Sequence, residues 1–155
     1  MIRTIEGFHR DEEGDWVAEL SCLHGQHVRH RPPLWDRAWV GTEQGRAEHL
    51  GSTLDCPLCD RAEMPLGLET VRTAGPFDAS ILPAGLRGSH RVADRTWGRV
   101  RVLEGAVRFT MQTTPRIDVR LRAGQEQAIP PGVDHALAVE GPVRLAVDFL
   151  TRPGA

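Results

Sequence analysis

Cys22-Leu23-His24 and Cys56-Pro57-Leu58-Cys59 are the two stretches that decide the fold of the N-terminal part of this sequence. Each stretch presents two thiol or imidazole donors within one short loop. Structural zinc sites use four such donors in a tetrahedron, and two close pairs from separate loops are the usual way to supply them. The pattern therefore predicts one structural zinc ion with four ligands: Cys22, His24, Cys56 and Cys59.

Several histidines compete for the position of the fourth ligand. We favour His24 because alternation along an extended segment places it on the same face as Cys22. Three other histidines lie nearby in the sequence and stay alternatives: His9, His27 and His30. A different interpretation makes Cys22 a small buried residue and the later two cysteines a redox pair.

Composition indicates a globular protein. Of the 155 residues, 40% are apolar and 26% are charged, which is typical of a folded domain. Three cysteines cannot all pair with one another, so a disulfide framework is not expected. Because we find neither a signal segment nor the ~20-residue apolar run of a membrane span, we expect a cytoplasmic protein with no membrane partner.

Several classes of function are excluded by residues that the chain lacks. All 19 basic residues are arginine, and lysine, tyrosine and asparagine do not occur. A phosphate-binding loop with its lysine, a Schiff base and a tyrosine acid are therefore ruled out. Residues 1–66 carry 7 arginines against 12 acidic residues, and residues 67–155 carry 12 against 9. Neither balance is basic enough to predict a nucleic-acid partner.

The composition changes near residue 66, where we place a domain boundary. All three cysteines and five of the seven histidines precede it. We therefore predict a zinc-binding module over residues 1–66 and a second domain over residues 67–155. A domain of about 65 residues buries little of its surface and needs a metal, a disulfide or a partner to be stable.

The first part opens with a predicted β-hairpin over residues 2–8 and 15–20, joined by the turn-forming Asp11-Glu12-Glu13-Gly14. Thr42 can cap a short helix over residues 43–50, which Gly51 would end. Cys56 and Cys59 would then lie in a tight turn that contains Pro57. His49, on the predicted helix, is expected to face solvent.

The second part is predicted to be β-structure almost throughout. Alternating or apolar stretches occur at residues 97–103, 106–111, 117–121, 128–129, 136–139 and 143–150. Short strands at such regular intervals favour a sandwich or barrel. Arg99, Arg101, Arg120 and Arg122 alternate with apolar residues, so we expect a solvated sheet face. Alternatively, some of them point inward and hold an oxyanion. A homodimer would cover an exposed sheet edge of such a fold.

Residues 1–61 resemble a small bacterial family of unknown function. The resemblance is carried by Gly7-Phe8-His9, by residues 11–18 and 24–30, and by Leu54-Asp55-Cys56-Pro57-Leu58-Cys59. It implies a family without implying an activity. Leu23 stands where that family would lead us to expect glycine.

The second part resembles the cupins. Gly124, then Pro130-Pro131-Gly132, then His135 match the second cupin motif in identity and spacing, and Val102-Leu103-Glu104-Gly105 resembles the end of the first. The first motif's usual ligand positions fall near Asp94 and Gly98, which are not its ligands. The fold implied is mainly β, with a single cupin-like jelly-roll barrel after the zinc-binding module.

Residues 70–150 more closely resemble a cupin-like family found ahead of the methyltransferase in some tellurite-resistance proteins. Residues 81–86, His90, residues 97–105 and Asp148-Phe149 carry this similarity. In that framework His90, His135 and Asp148 could converge and bind a second metal, either zinc or iron. In the simpler alternative, these side chains are a loop cap, a satisfied barrel histidine and a strand-end charge.

Three functions remain open at this point. The first is a metal-binding protein that binds or senses a small molecule or oxyanion in a stress response, which the resemblance to tellurite-resistance proteins suggests. The second is a metal-dependent, oxidative cupin-type enzyme on an undetermined small substrate. The third is an adaptor that binds another protein through its zinc module. No nucleophile, acid–base pair or cofactor loop stands out in the sequence, so the first is preferred.

Overall fold

The computed structural model of this chain describes residues 1–154, so the last residue of the predicted 67–155 domain lies outside the described residues. The chain forms two compact units. The first is Met1–Cys56, and the second begins at Pro57. The boundary that we place near residue 66 stays a prediction.

The first unit contains a four-stranded antiparallel sheet in the order β3-β2-β1-β4. The predicted hairpin is confirmed, because β1 pairs with β2 in antiparallel register from Ile5–Leu20 to Arg10–Trp16. The two outer strands are three residues long and were not predicted. The strands of this sheet are β1 (Ile2–Arg10), β2 (Trp16–Leu20), β3 (Gly25–His27) and β4 (Thr53–Asp55).

The helix predicted after Thr42 is also present. A 3-10 turn over Ala38–Gly41 leads into α1, Glu43–Glu48. The hydroxyl of Thr42 accepts a hydrogen bond from the backbone N–H of Gly45 at 3.1 Å, which satisfies one of the donors left open at a helix start. The helix ends before residue 50. His49 follows it and is half-buried rather than solvent-facing, since its ring stacks on that of Trp39 with centroids 3.8 Å apart.

The second unit is built mainly from five strands. They form an antiparallel sheet in which β5, β9, β6 and β7 follow one another and β8 pairs with β6. Two short helices are also found. The elements are α2 (Pro57–Asp60), β5 (Glu69–Asp78), α3 (Ala84–Arg87), β6 (Trp97–Met111), β7 (Ile117–Arg122), β8 (Glu126–Ile129) and β9 (His135–Thr151).

Strands β6 and β9 are long and run through both halves of this sheet. The first half of β6 lies between β8 and the second half of β9, whereas its second half lies between β7 and the first half of β9. The register shifts on either side of Glu104 and Gly105, where a bulge bends both strands. Gly105 has φ +73, and a Cβ there would lie 2.0 Å from the carbonyl oxygen of Pro142.

This bend corrects two expectations. Residues 97–103 and 106–111 belong to one strand, and so do residues 136–139 and 143–150. The two half-sheets enclose one apolar interior, to which Val100, Ile129, Leu137 and Val147 all contribute. Val107 and Phe109 are also fully buried. The predicted mainly β fold is therefore confirmed.

Candidate metal centre

Four donor atoms meet in the cluster formed by Cys22, His24, Cys56 and Cys59. All four lie within 4.8 Å of one another. The sulfur of Cys22 is 3.4 Å from Nδ1 of His24 and 3.8 Å from the sulfur of Cys56, and the Cys56 sulfur is 3.5 Å from the same nitrogen. Each of the four residues is at most 6% exposed. The arrangement could hold one metal ion.

The first donor pair is placed by a tight turn, not by an extended segment. Strand β2 ends at Leu20, and Leu23 then adopts a left-handed conformation with φ 70. The backbone N–H of Leu23 donates to the carbonyl of Leu20 at 2.7 Å, and that of Leu20 donates to the carbonyl of His24 at 2.9 Å. The prediction that His24 shares a site with Cys22 thus agrees with the geometry, although the reason we gave for it was wrong.

The second donor pair is placed by β4 and α2. Strand β4 pairs with β1, and the backbone N–H of Cys56 donates to the carbonyl of Met1 at 2.7 Å. A helical turn over Pro57–Asp60 then brings Cys59 back toward Cys56, because residues three apart share one face of a helix. The expected tight turn is therefore a short helix that begins at proline, a residue well suited to a first helical position.

The electrostatics of the cluster favour a positive charge. Burial disfavours the charged imidazolium of His24, but hydrogen bonds to Cys22 and Cys56, with their charges, outweigh it and raise the pKa of His24 to about 9. A buried group of sulfurs that stabilises a proton on its neighbour would stabilise a bound cation for the same reason. No disulfide joins the three cysteines, all of which lie in the described part of the chain.

The alternative histidine ligands lie elsewhere. Nδ1 of His9 is 2.9 Å from Glu19, and Nε2 of His27 is 2.7 Å from Asp11. His30 accepts a hydrogen bond from the backbone of Arg37 at 3.0 Å. Each of these imidazoles is engaged at an exposed position, so His24 is the histidine that the structure brings to the cysteines.

The second predicted set is brought together only in part. His90 and His135 face each other with ring centroids 5.4 Å apart, and their backbones form an antiparallel bridge. Nδ1 of His135 is 3.0 Å from the carbonyl of Val133, which leaves Nε2 as the unprotonated nitrogen of the neutral ring. Burial lowers the pKa of His135. The cavity beside the two rings measures about 10 Å³.

Asp148 lies away from this pair, which corrects the predicted three-residue set. Its neighbours Val147 and Phe149 line the interior with His135, so alternation along β9 turns the carboxylate to the opposite face. There it accepts hydrogen bonds from Thr73 at 2.8 Å and from both Arg99 and Arg101. Hydrogen bonds from Arg101 outweigh burial and, with those from Thr73 and Arg99, lower the pKa of Asp148 to about 2.

With the geometry established, the chain can be compared with known proteins. Two family models match it. Residues 6–63 match a protein family of unknown function (DUF3565), and residues 72–147 match the TehB-like domain. Both predicted resemblances are confirmed. The first match includes the four residues of the metal cluster, and the second covers most of β5–β9. No curated protein matches the sequence.

Solved structures share the fold of the second part. A protein from E. coli (strain K12) has a TM-score of 0.51 and 20% identity, over 60% of this chain and 90% of that chain. TehB from Haemophilus influenzae has a TM-score of 0.51 and 16% identity, over 56% of this chain and 32% of that chain. A cupin protein from Bacteroides fragilis matches at 19% identity and TM-score 0.35, over 48% of this chain and 62% of that chain.

The first two likenesses, with TM-scores of 0.51, concern fold alone. The chain spans about a third of the length of TehB. Within residues 1–154, no helix is long and apolar enough to cross a membrane.

One polar group of the second part was misread from sequence. Asp148 stands in the apolar run Ala146-Val147-Asp148-Phe149-Leu150, and a carboxylate buried in a strand needs cationic partners. Arg99 and Arg101, which alternate along β6, supply them. The lone acid in an apolar strand was the signal, and it indicates an internal ion pair as readily as a metal ligand.

Proposed function

We propose that this chain is a zinc-binding, cupin-like protein in which the zinc is structural and the whole serves to recognise a small ligand in a stress response. One observation supports the zinc proposal most strongly: four buried donors, three thiols and one imidazole, stand at mutual distances that suit a single tetrahedral ion. Soft sulfur donors with one imidazole are a typical zinc ligand set.

The distances can be tested against zinc itself. Tetrahedral zinc with Zn–S bonds of about 2.3 Å separates two sulfurs by about 3.8 Å, and a sulfur from a nitrogen by about 3.5 Å. The corresponding separations here are 3.8 Å between Cys22 and Cys56, and 3.4 and 3.5 Å between these sulfurs and the nitrogen of His24. These three separations among Cys22, His24 and Cys56 support the proposal of a zinc ion.

A structural role is supported by the completeness and burial of the ligand set. A catalytic zinc keeps one coordination position for water or substrate, whereas four protein donors fill a structural site. The sheet of the first unit has strands of three to nine residues, and such a small fold gains much of its stability from a metal. Zinc supplies on the order of 10 kcal/mol in comparable small folds.

The proposed role of the second part rests on its match to the TehB-like domain. That match supports a function in resistance to toxic oxyanions such as tellurite, or to oxidants. The cavity between His90 and His135 holds about 10 Å³, which is room for about one water molecule. We therefore propose that a ligand is recognised outside this interior.

The zinc proposal is tested by elemental analysis of the full chain purified without oxygen. We expect one zinc per chain in the wild type and loss of zinc in a Cys56→Ser, Cys59→Ser variant. His27→Asn is the matched control, since His27 lies in the first unit but outside the cluster, and this variant should keep its zinc. One zinc retained in the double cysteine variant would contradict the proposal. Cobalt substitution provides a second readout, because thiolate ligands give intense charge-transfer absorption.

The stress-response role is tested in cells. A strain that lacks the gene should grow more slowly than its parent on tellurite or peroxide, and wild-type protein should restore growth. The Cys56→Ser, Cys59→Ser variant should not restore it if the zinc-stabilised module is required. Equal growth of the deletion strain and its parent under both stresses would refute this role without affecting the zinc proposal.

A further inference from the structure

The first unit contains an open cavity that neither the metal cluster nor the family matches assign to a role. Its volume is about 210 Å³, and five residues line it: Gln26, His27, Arg29, Trp35 and Arg37. We call it the Trp35 pocket. This volume is about twenty times that of the cavity beside His90 and His135, and it is room enough for a small organic molecule. It contrasts with the nearly filled interior of the second unit.

Two arginines give the lining of the pocket a positive charge. Arg37 is half-buried, and its guanidinium has no acceptor within residues 1–154, where Arg37 bonds only through its backbone: its N–H donates to His30 and its carbonyl accepts from Val40. Arg29 donates from Nε to Asp15 at 2.7 Å, which leaves its terminal nitrogens for another acceptor. Carboxylate residues are missing from the described lining. A guanidinium without an acceptor binds carboxylates well, because its donors match both oxygens.

An aromatic surface lies beside this charge. Trp35 is 51% exposed, although a buried ring would contribute more to the stability of the fold. Its backbone is nevertheless fixed, since its backbone N–H and carbonyl both pair with Arg31, at 3.0 and 2.9 Å. A half-exposed indole at this position offers a flat face for a planar ligand.

A third feature of the lining is unsatisfied in the protein. The amide oxygen of Gln26 is buried and has no hydrogen-bond partner within residues 1–154. An unpaired buried acceptor is costly, and such groups in folded proteins usually have a partner. Because this oxygen is closed to solvent, it does not select among ligands for the pocket.

We infer that the Trp35 pocket binds a small aromatic carboxylate, with the guanidinium of Arg37 on the carboxylate and the ring against Trp35. The size, the charge and the flat apolar face each select this class. The inference rests on the proposed zinc-binding module, because β3, which carries Gln26 and His27, begins directly after His24. It identifies a ligand class for the proposed recognition role.

The test is titration of the zinc-loaded full chain with benzoate, followed by NMR of the tryptophan indole N–H signals. Trp35→Phe assigns the signal of Trp35, and that signal should shift saturably. Benzamide lacks the charge and acetate lacks the ring, so each should bind at least about tenfold more weakly, as expected for loss of a charge-assisted contact or of ring packing. Benzamide, acetate or inorganic phosphate binding as tightly as benzoate would overturn the inference.

Two variants locate the site. Arg37→Gln should weaken benzoate binding at least about tenfold, whereas Arg31→Gln is the matched control. Arg31 is an exposed arginine of the same loop that does not line the pocket, so its variant should bind within about twofold of wild type. Equal weakening in both variants, or in neither, would overturn the inference. Zinc is measured in every sample. A wild-type chain that holds one zinc but does not bind benzoate refutes this inference alone. A wild-type chain without zinc refutes the proposed function.

Discussion

Replacing Asp148 with asparagine should destabilise the second unit by about 2.5 kcal/mol at neutral pH. The carboxylate is 2% exposed and holds Arg99, Arg101 and Thr73. These contacts lower its pKa from 3.8 to about 2. Each tenfold change in proton affinity is worth about 1.4 kcal/mol, which gives the stated figure. Asparagine keeps the size of the side chain, so the loss measures the charge and not a cavity.

The lowered pKa of Asp148 determines how the stability difference between wild type and variant changes with pH. The pKa of Asp148 is lower in the folded chain than in the unfolded chain, so its contribution is complete above about pH 4 and disappears as the pH falls toward 2. Wild type and Asp148→Asn should therefore differ in stability at pH 6 and converge near pH 2. Loss of this contribution in acid is a property of the wild type, because the variant has no carboxylate to protonate.

The assay is urea unfolding, followed by NMR signals of β6 and β9, which report on the second unit. Asp118→Asn is the matched control. Asp118, on β7, forms an exposed ion pair with Arg108 of β6, and solvent screens these charges. This variant should change the midpoint little. The reasoning is refuted if Asp148→Asn lowers the midpoint no more than Asp118→Asn does, or if the difference from wild type persists at pH 2.

Two further predictions concern the same unit. Gly105→Ala should lower the free energy of unfolding by about 2–4 kcal/mol, because of left-handed strain plus the clash with Pro142. The control is Gly124→Ala, where φ is +84 and space is open, and it should lower this free energy by about 1 kcal/mol. Both are measured by urea unfolding, and equal losses would exclude the clash. Because burial lowers the pKa of His135, its ring should titrate below pH 6.5 when followed by NMR. Its contribution to the stability of the fold should therefore decline as the pH falls below 6.5. A titration midpoint at or above 6.5 would show that burial does not control the pKa of the ring.

The metal cluster could be predicted from sequence because its chemistry is local. With three cysteines in the chain, two of them three residues apart, few sets of four donors are possible. The identity of the histidine was harder to predict, because His24 reaches the site through the left-handed backbone of Leu23. Glycine usually marks such a conformation, and the glycine that the family resemblance led us to expect at this position was the one signal of it.

Four of the five strands of the second part were located from sequence, but two of them, β6 and β9, were each divided into two. Glycine and proline near residues 105 and 142 are typical of turns, and the sequence therefore predicted two pairs of short strands. In the structure these residues accommodate a bulge within two continuous strands. Hydrophobic periodicity locates β-structure, but it does not distinguish a turn from a bend, since both interrupt the alternation in the same way.

The surroundings of Asp148 could not be predicted, because they depend on pairing between distant strands. Thr73 lies on β5, opposite Asp148 in the register with β9. Strand β5 contains Gly75 and Pro76 and has mostly exposed side chains, so it lacks the usual pattern of a strand. Without β5, the carboxylate looked available for a metal.

The continuous course of β6 and β9 determines how the second unit can come apart. Strands β6 and β9 each supply hydrogen bonds to both half-sheets. Opening one half-sheet therefore disturbs the pairing of the same two strands in the other half-sheet. The middle of the two strands is held from both sides of the bend. Amide protons at Val102 and Leu145, which face each other across it, should consequently exchange with solvent through the same global event, and the unit should lose its structure in a single cooperative transition.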